Sequence, residues 1–133
     1  MKKIEHIGIA VKDIEASEMM FSKLFNRKSY KTEEVLSEGV KTSFFNMGDS
    51  KIELLSAIKD DSPIAKFISK KGEGIHHIAF EVDNIEEEVL RLKGEGFTVI
   101  NDLPKKGADN KKIVFLHPKS TNGVLIELCE EIK

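Results

Sequence analysis

The chain repeats itself, and the repeat limits the folds open to it. Residues Ile4-Glu5-His6-Ile7-Gly8-Ile9-Ala10-Val11-Lys12-Asp13-Ile14-Glu15 lie over Ile75-His76-His77-Ile78-Ala79-Phe80-Glu81-Val82-Asp83-Asn84-Ile85-Glu86 at an offset of 71, with six of twelve positions identical. Gly8 over Ala79 is also small over small. A second echo follows, Ile52-Glu53-Leu54 over Ile126-Glu127-Leu128, at an offset of 74. Each half therefore carries one His on its first apolar run and one Glu on its last, spaced 47 residues apart in the first half and 50 in the second. A chain of 133 residues is one ordinary domain by length, here a single domain over 1–133 built as module one (about 1–59), a linking helix (about 62–71) and module two (about 74–131).

The local patterns within each half agree. Residues 4–11 and 75–82 are short Ile- and Val-rich runs that predict strands. Asp13 and then Asn84 stand as N-caps before helical stripes of Ile14, Met20, Phe21, Leu24 and Phe25, and of Ile85, Val89 and Leu92. Gly94 and Gly96 end the second helix. Further strands are predicted at about 29–35, 40–47 and 51–57, then at 97–101, 111–117 and 123–129, divided by Gly48-Asp49, Pro104 with Gly107, and Pro118 through Gly123. Between the halves, Ser62 is an N-cap followed by Pro63 as first helical residue, with Ile64, Phe67 and Ile68 on one side. The fold class is α+β, two βαβββ modules forming a mixed sheet.

Strand alternation assigns faces. His6 falls with Ile4, Gly8 and Ala10, and Glu5 with Ile7, Ile9 and Val11 on the other side; His77 falls with Ile75, Ala79 and Glu81. Glu53 and Glu127 lie opposite the apolar faces Ile52/Leu54 and Val124/Ile126/Leu128, which pack on the helices. A Glu inside Val124-Leu125-Ile126-Glu127-Leu128 is costly unless its face is wet, paired or metal-bound. Two imidazoles and two carboxylates on related strands make a cage for a divalent ion, with oxygen and nitrogen donors that suit Co, Mn, Ni, Fe, Mg or Zn. His76 points away from His77 and is expected to contact a helix. Cys129 is the only cysteine and follows a strand, a small buried filler rather than a nucleophile.

Composition excludes other classes. With 21 Lys and Arg against 23 Asp and Glu, the chain lacks the basic excess of a nucleic-acid binder. No apolar run approaches the roughly 18 residues of a membrane span. The first residues enter a strand pattern at once, with no room for a signal peptide, so the expected location is cytoplasmic.

The opening His6-Ile-Gly-Ile-Ala-Val, Ser62-Pro-Ile-Ala-Lys-Phe, Gly72-Glu-Gly-Ile-His-His-Ile-Ala-Phe, and Phe115-Leu-His-Pro-Lys-Ser with Gly123-Val-Leu-Ile-Glu-Leu-Cys resemble the methylmalonyl-CoA epimerase family. That family lies in the vicinal oxygen chelate superfamily, which also holds glyoxalase I. The resemblance runs over nearly the whole chain. It implies a glyoxalase-like fold whose sheet forms a cup around a divalent metal, usually in a homodimer, and an isomerase acting on an acyl-CoA thioester. The ligand set it implies is His6, Glu53, His77 and Glu127, the four positions of the repeat. The reaction it implies is epimerisation of methylmalonyl-CoA: a proton leaves the carbon between thioester and carboxylate, the enolate is stabilised by the metal, and a proton returns to the opposite face.

Glu127 is the candidate acid/base. For the second, some members of the family use a carboxylate on the second or third strand of the first half, where this chain has Val40-Lys41-Thr42-Ser43-Phe44 and none. Glu53, a bound water or a different relay are the alternatives. His117, Lys119 and Ser120 are candidate substrate-binding residues, with turn chemistry around Pro118 as their other reading. Two other functions fit the fold: a glyoxalase I-type lactoylglutathione lyase, and a non-catalytic small-molecule-binding protein.

Overall fold

The computed structural model describes residues 1–101 and 103–133. In chain order it has β1 (Lys3–Ala10), α1 (Ile14–Phe25), β2 (Lys31–Val35), β3 (Val40–Met47), β4 (Ser50–Ala57), α2 (Pro63–Lys71), β5 (Gly74–Glu81), α3 (Ile85–Gly94), β6 (Lys105–Lys106), β7 (Lys111–Leu116) and β8 (Ile126–Glu131). The strands hydrogen-bond in the order β2-β3-β4-β1-β5-β8-β7-β6. The sheet is mixed: β5 and β8 are parallel, whereas β2–β3, β3–β4, β6–β7 and β7–β8 are antiparallel.

The helices begin where the side chains cap them. The Asp13 carboxylate accepts from the Ala16 N–H, the Ser62 hydroxyl oxygen from the Ala65 N–H, and the Asn84 carbonyl oxygen from the Glu87 N–H. Each satisfies a backbone donor that the first helical turn leaves open. Helix α1 ends on Asn26 in the left-handed region, at φ 54°.

The chain divides into two compact units that do not follow the order of the repeat: one is Ile7–His76, the other Met1–His6 together with His77–Lys133. In the first, α1 buries Ile14 against Val11, Phe45 and Leu54, with Phe21 and Phe25 alongside. There α2 buries Ile64 against Ala10, Val40 and Leu55. In the second, α3 lays Ile85, Val89 and Leu92 on Val114, Leu116 and Leu128 of β7 and β8. Each such side chain contributes about 1.5–3 kcal/mol through burial. On the other face of the same strands, Ala79, Ile113 and Cys129 form a second cluster with Phe115.

Two predicted strands differ from the structure. Residues 97–101 form only an isolated bridge, Val99 to Leu116. The Asn101 side-chain amide donates to the Leu103 carbonyl, and Pro104 has no N–H for a ladder, so the edge of β7 is instead taken by the two-residue β6. The last strand starts at Ile126 rather than 123. Asn122 and Gly123 are both left-handed, at φ 56° and 85°, and close a turn in which Gly123 N–H donates to the Pro118 carbonyl.

One polar contact inside the first unit reaches from the half-buried Glu18 to a hydroxyl in the interior. The Glu18 carboxylate on α1 accepts from the hydroxyls of Ser43, which is fully buried on β3, of Thr32 at 3.2 Å and of Ser29 at 3.5 Å. Removing the acceptor strands the Ser43 hydroxyl away from water. Glu18→Ala should therefore cost about 1–3 kcal/mol in urea unfolding, and adding Ser43→Ala to it should return part of that loss.

Cys129 is fully buried, and its thiol donates to the Phe80 carbonyl at 3.5 Å; burial, followed by the nearby charges of Glu127 and Glu5, pushes its pKa well above the ordinary thiol value. A raised pKa keeps the sulfur protonated at neutral and mildly alkaline pH. In the native protein at pH 8, a thiol-alkylating reagent should leave Cys129 unmodified, and addition of denaturant should expose it to rapid labelling; fast labelling of the folded chain would contradict this.

Candidate metal centre

The strands bring three of the four repeated residues to one point within a single unit. His6 on β1, His77 on β5 and Glu127 on β8 each offer a ligand atom within 4.8 Å of the other two. The His6 and His77 Nε2 atoms are 3.1 Å apart. Glu127 Oε2 lies 3.6 Å from His6 Nε2, and Oε1 lies 3.4 Å from His77 Nε2. Exposures of 5%, 3% and 5% for His6, His77 and Glu127 place all three away from bulk water.

Register explains the convergence. Along β5 and β8, Ala79 is paired with Glu127, so the small Ala79 side chain leaves space beside the carboxylate. Across β7 and β8, Glu127 is paired with Phe115, whose ring meets the His77 ring edge-on at 5.8 Å. The two imidazoles are themselves nearly perpendicular, at 87°, with centroids 5.2 Å apart. An apolar wall on one side and a perpendicular neighbour on the other hold the His77 ring in place.

The donor set fits a divalent cation. Metal–nitrogen and metal–oxygen bonds of about 2.1 Å separate two ligand atoms by roughly 3.0 Å at octahedral and 3.4 Å at tetrahedral angles. The observed spacings of 3.1, 3.4 and 3.6 Å lie close to that range. Two imidazole nitrogens with one carboxylate are the donors that Mn, Fe, Co, Ni and Zn accept. Three buried polar groups so close together are unfavourable unless something draws their lone pairs to a common point.

A fourth buried polar residue joins this cluster that alternation had assigned elsewhere. Glu5 is 2% exposed, and its Oε1 is 2.9 Å from His6 Nδ1. Regular alternation sends neighbouring side chains to opposite faces; the pattern is broken at Glu5 and His6, which are both buried and touch. The available signal was that the residue before the repeated His is polar in both halves, Glu5 and His76.

The other candidates fall elsewhere. Glu53 lies on β4 of the other unit, paired in register with Phe44, and is 4% exposed. His76 meets the Phe67 ring of α2 edge-on at 4.9 Å, the helix contact expected of it. His117, Lys119 and Ser120 build a 3-10 turn over Pro118–Ser120. There His117 Nδ1 accepts from the Lys119 N–H at 3.1 Å, while the Ser120 hydroxyl donates to the His117 carbonyl at 2.9 Å. The imidazole and the hydroxyl thus serve the turn, and the exposed Lys119 side chain stands outside those bonds.

Comparison with known proteins gives the same account of the fold. Residues 5–115 match the model of the Glyoxalase/Bleomycin resistance protein/Dioxygenase superfamily. The chain is 41% identical to a mitochondrial methylmalonyl-CoA epimerase of Dictyostelium discoideum, over 97% of this chain and 78% of that one. It is 38% identical to an ethylmalonyl-CoA/methylmalonyl-CoA epimerase of Cereibacter sphaeroides, over 95% of this chain and 96% of that one. Its structure superposes with a TM-score of 0.93 on a variant of Streptomyces coelicolor methylmalonyl-CoA epimerase in complex with 2-nitronate-propionyl-CoA, at 32% identity and over 98% and 95% of the two chains. The chain belongs to the Glyoxalase/Bleomycin resistance protein/Dioxygenase superfamily and, within it, to the methylmalonyl-CoA epimerase family.

Proposed function

We propose that the protein is a metal-dependent isomerase that interconverts the stereoisomers of methylmalonyl-CoA. The observation that carries the reading is the buried His6–His77–Glu127 cluster, in a chain that is similar over almost its whole length to named epimerases of this substrate. His6, His77 and Glu127 would hold the cation. The repeat and its burial on β4 support Glu53 as the fourth ligand. The physiological ion is one of Co, Mn, Ni, Mg or Zn, in keeping with two nitrogen donors and carboxylate oxygens. When bound, such a cation supplies the positive charge that lowers the cost of forming an enolate.

The remaining chemistry falls to the chain. The carbon between a thioester and a carboxylate carries the acidic proton, and inversion requires its removal from one face and delivery to the other. Glu127 is the residue we assign to one of these transfers: it is a carboxylate, it is shielded from bulk water, and it is a member of the cluster. Glu53 is the chain's candidate for the second transfer, since β3 offers Thr42, Ser43 and Phe44 in place of a carboxylate. Phe115 and Ala79 line the register around Glu127 with apolar groups, which strengthens electrostatic effects there.

Lys119 in the exposed turn is the group we assign to the anionic parts of an acyl-CoA; His117 and Ser120 shape the turn that presents it. Family resemblance supports a homodimer in a cytoplasmic setting. Among the described residues no helix is long and apolar enough to cross a membrane.

Exchange of the substrate's α-proton tests the function directly. Metal-loaded protein with methylmalonyl-CoA in D₂O should erase the α-proton NMR signal far faster than a chelated control. Glu127→Gln should slow that loss by about 10²-fold or more while leaving the fold intact. A metal-loaded, folded wild-type protein that exchanges no α-proton would overturn the reading and favour glyoxalase-type or binding roles.

The ligand assignment has its own check. In a calorimetric titration with Co²⁺, His76→Ala should bind as the wild type does, because His76 packs on Phe67 instead of joining the cluster. His77→Ala should lose most of its affinity. Inverted behaviour of the two variants would reject His77 as a ligand.

A further inference from the structure

We infer that Glu5 is a positioning residue: it holds the His6 imidazole in the Nδ1–H tautomer and so turns the His6 Nε2 lone pair toward His77 and Glu127. The inference rests on the proposed reading of His6 as a metal ligand and adds a residue that the ligand pattern does not contain.

The argument is one of hydrogen-bond accounting. A neutral imidazole has one N–H and one lone pair, and the partner of one nitrogen decides the state of the other. Glu5 Oε1, 2.9 Å from His6 Nδ1, is a carboxylate oxygen and can only accept while ionised. With Glu5 ionised, the proton of a neutral His6 sits on Nδ1. His6 Nε2, at 3.1 Å from His77 Nε2, is then a lone pair. Two imidazole nitrogens at that spacing either share one proton or turn both lone pairs to a common cation. His6 is on the accepting side in both cases.

Burial makes the arrangement firm. Glu5 and His6 are 2% and 5% exposed, so water does not compete for either end of the bond. A charge-assisted bond in such surroundings fixes ring orientation as well as proton position. A carboxylate behind a ligating imidazole also raises the basicity of the far nitrogen, and loss of such a partner typically costs 10–100-fold in metal affinity. Adjacent positions on β1, both buried, carry the carboxylate and the ring. In the second half the position that repeats Glu5 is His76, which packs against Phe67.

The test compares the wild type with Glu5→Leu and Glu5→Gln, using two measurements. Proton–nitrogen correlation NMR of the imidazoles, on chelator-treated protein, reports the tautomer of His6. Calorimetric titration with Co²⁺ reports affinity. The wild type should show His6 protonated at Nδ1. Glu5→Leu should move His6 toward the Nε2–H form and weaken Co²⁺ binding by about 10–100-fold. Glu5→Gln, whose side-chain carbonyl accepts the same N–H, should restore the tautomer and most of the affinity, which guards against a folding defect in the leucine variant. Unchanged tautomer and affinity within twofold in Glu5→Leu would overturn the inference, even if thermal stability moved. Wild-type protein that shows the tautomer shift on substitution but binds no Co²⁺ would uphold Glu5 as the positioning group and reject the metal reading instead.

Discussion

Two imidazoles and a carboxylate buried on one face of a sheet are the constraint around which the unit carrying them is organised. Each would prefer water, and the sheet removes nearly all of it. The same strands offset this with their opposite face, where Val114, Leu116 and Leu128 pack beneath α3. β8 shows the division most sharply: Leu128 belongs to the helix-covered core, while Glu127 beside it belongs to the cluster. A shift of one residue in the pairing of β8 would exchange them, burying the carboxylate under the helix and putting a leucine among the imidazoles. Register is thus specified twice over, once by apolar burial and once by polar convergence.

Much of this was legible in the chain because repetition separates signal from accident. A single His on a strand says little, but His6 and His77 in matched surroundings, with Glu53 and Glu127 in matched surroundings, point to shared geometry. Helix starts were also legible, since Asp13, Ser62 and Asn84 cap through local bonds that need no tertiary partner. Sheet edges were less so. Residues 97–101 have apolar spacing suited to a strand, yet Asn101 and Pro104 bend the chain off β7. The onset of the last strand was set by two left-handed residues, Asn122 and Gly123, where the apolar pattern alone predicted an earlier start.

Glu5 escaped for a different reason. Alternation is a rule for regular strands, and it assigned Glu5 to the face of Ile7 and Ile9. Functional sites are where local rules give way, because the geometry a site needs is bought by packing elsewhere. The apolar neighbour Ile9 further along β1, and Val11 just past its end, return to the expected pattern in the core beneath α1. The irregularity is therefore confined to the stretch of β1 that carries the ligand.

The division of the chain between His6 and Ile7, and again between His76 and His77, has a consequence for how the molecule is encoded. The unit that holds the cluster is written as two separated segments, residues 1–6 and 77–133. Lys2 and Lys133 line the same cavity of about 360 Å³, beside Glu81 and Ile132. Joining residue 133 to residue 1 through a short linker, and opening the chain in the turn at Gly72-Glu73, would make those segments continuous. The cluster would then run His77, Glu127, His6 along one stretch of 63 native residues. The order of the genetic text separates what the fold unites, and a circularly permuted chain would bring the two into agreement.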